Sequence, residues 1–253
     1  MTVGSWQTTT TDALFGGAVV LRQPSRGAGY RVNVDAILLA AFAAGLIGTR
    51  VRESHHAVDL GAGVGAVGLS MLHFAAAKRV TMIEIDAHLA DLAAENAARN
   101  GWGDCVAVTH GDVAAPCSDL DADLVVCNPP YVAPGRGRLP AAPIRNAKHG
   151  ELDVFLDAAR AFTGRRARAC FVYPAMEAMT LLVGLRARGL EPKRLGNVHA
   201  HAGTAARVIL VEAIRGRPGG LVIEPPFIER GEAGPSDALD ALLRRPHTER
   251  VRG

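Results

Sequence analysis

From Ala57 onward, short apolar runs alternate with helical stretches, and this alternation constrains the fold more than any single motif. "AVDLG" precedes "AVGLSMLHFAAA", "RVTMIEID" precedes "AHLADLAAENAARNG", and "CVAVTHGD" and "ADLVVCNPP" precede "ELDVFLDAARAFTG". "ARACFVYP", the helical "AMEAMTLLVGLRARG" and "AARVILVEAIRG" continue the pattern, with "GLVIE" as a further short strand. Strands joined by helical crossovers of this length pair in parallel and bury both sheet faces under helices. The expectation is an α/β, Rossmann-like fold.

The chain has 253 residues, 49% of them hydrophobic, which suffices for a core without staples. Cys105, Cys117, Cys127 and Cys170 form no C-x-x-C pair and no histidine cluster joins them, so no metal site is expected. Cys127 and Cys170 lie in or beside apolar runs and read as buried free thiols. His55-His56 reads as a solvated turn. No signal peptide opens the chain, and "VDAILLAAFAAGLIG" is too short to span a bilayer and carries Asp35. These features predict a cytoplasmic monomer or homodimer with no membrane association. A net charge of +3 and a pI near 8.8 favour a polyanionic partner only weakly.

Three regions are expected. Residues 1–50 form an appendage, polar and frayed up to Asp12, with one or two short strands and a helix started by Asn33 or Asp35 and ended near Gly48. Residues 51–230 form the main domain. Residues 231–253 form a loose tail with one short helix at "SDALDALLRR".

Open parallel sheets bind ligands beyond the carboxyl ends of their strands, near the point where the winding reverses. The first of these strands runs into "DLGAGVGAVG", where glycines at 61, 63 and 65 permit a tight turn and close backbone approach. Alone, such a loop also fits a plain glycine turn. Asp59, on the strand before it, opposes a phosphate but welcomes an ammonium or a sulfonium. Glu84 ends the next strand, where a carboxylate can accept from both ribose hydroxyls. Asp112, with Val113 beside it, ends the third, placed to accept from an adenine amino group. Each acid alone could be a helix cap. As an ordered set they suit a cationic nucleoside better than a pyrophosphate, and so S-adenosylmethionine better than NAD.

"VDLGAGVGAVGL", "MIEID", "HGDV" and "VVCNPPY" follow the order and spacing of class I S-adenosylmethionine-dependent methyltransferases, which residues 57 to about 215 resemble. The resemblance implies a seven-stranded, mostly parallel sheet with its last strand antiparallel. "NPPY", Asn128 to Tyr131, is similar to the motif of enzymes that methylate planar exocyclic amino groups on bases or on glutamine. Such a nitrogen is a poor nucleophile because its lone pair is conjugated. Acceptors on the Asn128 side chain and the Pro129 carbonyl would localise that lone pair and stabilise the charge that develops. Tyr131 would stack on the planar group. No metal is required.

The stretch after the motif holds Arg136, Arg138, Arg145 and Lys148 and no acid before Glu151. It reads either as a phosphate contact or as a solvated loop. Two further basic sets, Gly164–Arg168 and Arg186–Arg194, read as solubility charges on the far side of the sheet. "TDALFGGAVVLRQPSRGAGYRVNVDAILLAAF" resembles the opening of bacterial tRNA(Val) adenine-N(6)-methyltransferases, with Tyr30, Arg31 and Asp35 at the positions of that family's pattern. The resemblance implies tRNA as partner, S-adenosylmethionine as cofactor and Asp35 near the methionine end of the cofactor. Three alternatives stand beside it. They are a protein glutamine methyltransferase acting on a release factor or ribosomal protein, a non-catalytic RNA-binding module, and an NAD-dependent oxidoreductase, which the acids and "NPPY" disfavour.

Overall fold

A computed structural model of the chain describes residues 9–25, 33–115, 122–131, 144–216 and 218–247. An antiparallel hairpin comes first, β1 (Thr9–Leu14) and β2 (Val19–Pro24), followed by helix α1 (Val34–Ala43). The side chain of Asn33 caps α1 by accepting from the Asp35 backbone N–H at 3.0 Å. The alternating unit then runs β3 (Ser54–Leu60), α2 (Ala66–His73), β4 (Ala77–Glu84), α3 (Ala87–Arg99), β5 (Val106–His110) and β6 (Leu124–Cys127). It continues as α4 (Ile144–Phe162), β7 (Arg168–Pro174), α5 (Ala178–Ala187), β8 (Leu190–His201) and β9 (Ala206–Arg215), and ends in β10 (Val222–Ile223), β11 (Phe227–Arg230) and α6 (Asp237–Leu243).

Seven strands form the body of one sheet in the order β5-β4-β3-β6-β7-β9-β8, parallel except for β9, which opposes both its neighbours. The expected seven-stranded sheet is therefore present, and the short strands β10 and β11 extend it in parallel beside β8. The winding reverses between β3 and β6. Helices α1, α2 and α3 pack on one face around Leu38, Phe42, Leu69 and Met82. Helices α4 and α5 pack on the other around Val58, Leu156, Phe171 and Leu185. The carboxyl ends of β3 and β6 thus open onto a crevice, as the topology requires.

Several expectations change. "LEPKRLGNVHAH" has no apolar run, yet it is β8, pairing along β9 with Leu190, Pro192, Arg194 and Val198 buried. Arg168 and Arg194 are not solubility charges. Arg194 is buried, its guanidinium 4.2 Å above the Phe42 ring, and it donates to Glu212 at 3.0 Å, Glu224 at 2.9 Å and the Ile47 carbonyl at 3.0 Å. Arg168 reaches the same Glu212 at 2.9 Å. A buried charge persists only where partners of opposite sign meet it in this way. Arg188 likewise bridges Asp153 and Asp157. His55 and His56 lie on β3 rather than in a turn, and His56 Nε2 meets Thr81 Oγ1 at 2.9 Å. Residues 232–247 are docked through α6. Ser236 caps that helix, Leu239 and Leu242 are buried, and beyond it His247 packs near Trp102 and His73.

The hairpin is fastened through two amides. Asn96 and Asn100 are four residues apart on α3 and so share a face. Asn100 accepts from Val20 N at 2.8 Å and donates to Val20 O at 2.7 Å. Asn96 accepts from Arg22 N at 2.7 Å and donates both to Arg22 O at 2.9 Å and to Val64 O at 3.0 Å. Together they present β2 with the donor–acceptor pattern of a neighbouring strand. Asn96 is fully buried, so Asn96→Ala leaves three backbone groups without partners. It is expected to destabilise the fold by about 3 kcal/mol in urea unfolding, whereas the less buried Asn100→Ala costs about 1 kcal/mol.

Candidate active site

The turn from β3 into α2 is backbone held from beneath. Gly61, Gly63 and Gly65 have φ of 69°, 56° and 86°, the left-handed region that side chains disfavour. A Cβ on Gly61 would lie 2.9 Å from the Phe155 ring of α4. Glu84 accepts from Gly63 N at 2.8 Å and from Asp86 N at 2.9 Å. Asp59 accepts from Gly68 N, in the first turn of α2, at 3.0 Å. Asn96 holds the Val64 carbonyl, so the loop, α3 and the hairpin share one side chain.

Beyond this turn lies a cavity of about 450 Å³, in the range of small-molecule sites. Gly61, Gly63, Glu84, Asp112, Val113 and Asn128 all line it, so four successive strand ends converge there. Asp112 Oδ1 accepts from Ala114 N at 2.9 Å, which fixes the turn that presents Val113.

Some expected residues sit elsewhere. Asp59 is fully buried under the loop and does not reach the cavity wall. Burial above all, and then the nearby Glu84 charge, push its carboxyl up to about 7 against the opposing hydrogen bond from Gly68. Asp35 is off the wall too. Its carboxylate takes Arg207 at 2.6 Å, and its neighbour Ala36 lines the cavity instead. Pro129 is buried while Pro130 faces the cavity. Tyr131 lies outside the lining, packed edge-on against Tyr173 with ring centroids 5.8 Å apart. Arg136 and Arg138, and also Tyr30, Arg31 and Cys117, lie outside the described residues. Arg145 and Lys148 fall on the first turns of α4, outside the described side chains. Cys127, one residue before the motif, is buried, and burial first and the Asp59 charge second hold its thiol well above the usual value. It is a packing group rather than a nucleophile.

The apolar half of the wall is formed by Ile85, Leu89, Val154 and Phe155, which no strand-end motif identifies. Ile85 stands directly after Glu84 and is 66% exposed. A large apolar side chain left open beside a strand-end acid is the signal that could have found this wall. Val154 and Phe155 come from a helix distant in sequence and carry no such mark. The combination fits an adenosyl group. It offers a carboxylate for ribose hydroxyls, apolar side chains for a base, and a turn whose glycines let the backbone approach closely.

Residues 36–149 match the family described as Methyltransferase small domain. The chain is 31% identical over 157 residues to a tRNA1(Val) (adenine(37)-N6)-methyltransferase of Dickeya chrysanthemi, covering 60% of each protein. It is also 38% identical over 80 residues to a release factor glutamine methyltransferase of Moorella thermoacetica, covering 32% of this chain and 28% of that one. The fold matches the crystal structure of a predicted O-methyltransferase from Agrobacterium tumefaciens, with a TM-score of 0.64 and 21% identity over 86% of this chain and 99% of that one.

The fold is that of class I S-adenosylmethionine-dependent methyltransferases, and residues 36–149 carry the pattern of the methyltransferase small domain. Among the described residues the chain carries no group of three or more His, Cys, Asp or Glu side chains able to hold a metal. No described helix is long and apolar enough to cross a membrane.

Asp59 supplies a pH test of the buried anchor. An acid whose folded pKa is raised stabilises the fold fully below its unfolded pKa, and that contribution is lost as pH rises through the folded value. Asp59→Asn keeps an acceptor for Gly68 N and removes the titration. The variant is expected to gain about 2 kcal/mol on the wild type between pH ~5 and pH ~8 in urea unfolding. Parallel pH curves for the two proteins would contradict the burial argument.

Proposed function

We propose that this chain is an S-adenosylmethionine-dependent methyltransferase that acts on the exocyclic amino nitrogen of an adenine in tRNA. The observation that carries the reading is the position of Asn128. Its amide stands at the tip of β6, on the wall of the same cavity as Glu84 and Asp112. The similarity to relatives named as tRNA adenine-N6 methyltransferases supports the choice of substrate.

In this reading Gly61, Gly63, Glu84, Asp112 and Val113 hold the cofactor, and Asp59 holds the loop that does so. Asp35, paired with Arg207, sets the start of α1 so that Ala36 meets the cavity. Bound S-adenosylmethionine supplies an electrophilic methyl group on a sulfonium. The Asn128 side-chain oxygen and the Pro129 carbonyl accept from the amino hydrogens, localise the lone pair and stabilise the charge as it forms. The nitrogen is thereby held in line for attack. Tyr131 stacks on the base, an interaction worth roughly 1–3 kcal/mol. A base must leave its stack to reach this position, which favours an unpaired nucleotide. Arg136, Arg138, Arg145 and Lys148 supply phosphate contacts. The enzyme works in the cytoplasm.

The local similarity to a release factor glutamine methyltransferase keeps one second reading, because glutamine carries the same planar amino group. Nucleoside mass spectrometry of tRNA from a deletion strain separates the two. A methyladenosine that disappears and returns with the wild-type gene supports tRNA. Unchanged tRNA together with an unmethylated release factor supports glutamine. Asn128→Ala is expected to lower transfer at least about 100-fold while cofactor affinity stays within about 3-fold. Glu84→Ala is expected to weaken cofactor binding about 10- to 100-fold by calorimetry, because it removes both a ribose acceptor and the hold on Gly63. Equal loss of binding and transfer in Asn128→Ala would remove the role assigned to the amide.

A further inference from the structure

Two contacts set the ring of Tyr131. The edge of Tyr173 meets it at an interplanar angle of 71°, and its hydroxyl donates to Met176 Sδ at 3.6 Å. Both partners come from the end of β7 and the single 3-10 turn that follows it, Ala175–Glu177. That turn is itself fixed. Pro174 pairs with Val208 of β9, Ala175 packs on the core beneath α5, and Glu177 accepts from Thr180 Oγ1 at 3.0 Å. Met176 therefore projects from an anchored backbone, yet its side chain is 75% exposed. Packing does not account for a methionine so placed. Its contact with Tyr131 does.

We infer that Met176 is a positioning residue for methyl transfer, holding the Tyr131 ring at the angle at which it meets the substrate. The inference rests on the proposed role of Tyr131 as the stacking ring. Packing on the core and the edge-on contact with Tyr173 hold the body of the ring, and its hydroxyl end reaches Met176. A polarizable thioether acceptor at the hydroxyl end favours one ring orientation without adding a charge to the site. A phenol is protonated at neutral pH and so donates here, and partial desolvation and then the Glu177 charge raise its pKa further. Leucine matches methionine in volume and offers no acceptor, so Met176→Leu isolates the contact.

The test combines kinetics with a direct view of the ring. On an unmodified tRNA transcript, Met176→Leu is expected to lower kcat/KM about 3- to 10-fold, the scale of one neutral hydrogen bond, with cofactor affinity unchanged. The Tyr131→Phe, Met176→Leu double variant is expected to lose no more than Tyr131→Phe alone, since both remove the same contact. The chain has three tyrosines, Tyr30, Tyr131 and Tyr173, so with 3-fluorotyrosine incorporated the 19F resonance of Tyr131 is the one missing in Tyr131→Phe. That resonance is expected to shift and narrow in Met176→Leu. An unmoved resonance, losses that multiply in the double variant, or wild-type kinetics in Met176→Leu would each overturn the inference. If the wild type does not methylate the transcript, the tRNA reading fails by itself, and the 19F signal still decides whether Met176 sets the ring.

Discussion

The hydrogen bonds that hold the backbone between Gly61 and Gly68 are the constraint on which the site depends. Glycines reach left-handed φ values without strain, but the same freedom makes an unheld loop costly to order. Here the loop is held from three directions. Asp59 takes the Gly68 N–H, Glu84 takes the Gly63 N–H, and Asn96 donates to the Val64 carbonyl. The order needed for close approach to a cofactor is therefore already present in the fold, and binding does not have to supply it. Glu84 has a double position, anchoring the loop and lining the cavity that the loop encloses.

Asn96 carries this order outward. It joins the glycine turn to β2, and with Asn100 it makes the first hairpin part of the main domain. At the opposite edge of the sheet, Arg168 and Arg194 converge on Glu212, and Arg194 continues to Glu224 and the Ile47 carbonyl just beyond α1. Removing one member of such a network strands a buried charge, so it specifies the arrangement of β8, β9 and α1 more than it adds net stability. The start of α1 is fixed separately, by Arg207 between Asp35 and Glu229. Both ends of the helix that brings Ala36 to the cavity are thus tied electrostatically to the outer strands.

What was legible in the sequence follows from range. Strand ends, glycine turns and "NPPY" are local signals, and the alternation that carries them stands in the residues themselves. Gly61, Gly63, Glu84, Asp112, Val113 and Asn128 meet at one cavity because the topology makes successive strand ends neighbours. Strand β8 was not legible. Its pattern of Lys193, Gly196 and His199 becomes a strand only because β9 pairs with it along its length. The burial of Arg168 and Arg194 was hidden for a similar reason, since a charge at a helix–strand junction does not announce its partners. Asp59 was legible as an acid at a strand end, but its depth was not. One residue's position in the pleat turned a candidate ligand contact into a support for the loop.

The wall of the cavity carries acids and apolar side chains, and its described side chains include no lysine or arginine. That balance suits a cofactor with a positive sulfur better than one with phosphates. It also explains the neutral amide at the end of β6. Asp59 already shows what burial beside Glu84 does to a carboxyl, raising it to about 7. A carboxylate at position 128, on the cavity wall, would add a third negative charge beside Glu84 and Asp112. An amide oxygen accepts at any pH and adds no charge to a wall that already holds Glu84 and Asp112. In the proposed reaction the demand at the nitrogen is for acceptors rather than a strong base, because the lone pair attacks first, the sulfur leaves as a neutral thioether, and the methylated nitrogen, now strongly acidic, gives its extra proton to water. The prolines around this amide fit the same requirement. They sit where β6 has passed its last paired residue, so their missing N–H groups cost the sheet nothing, and their fixed φ keeps Asn128 from turning away.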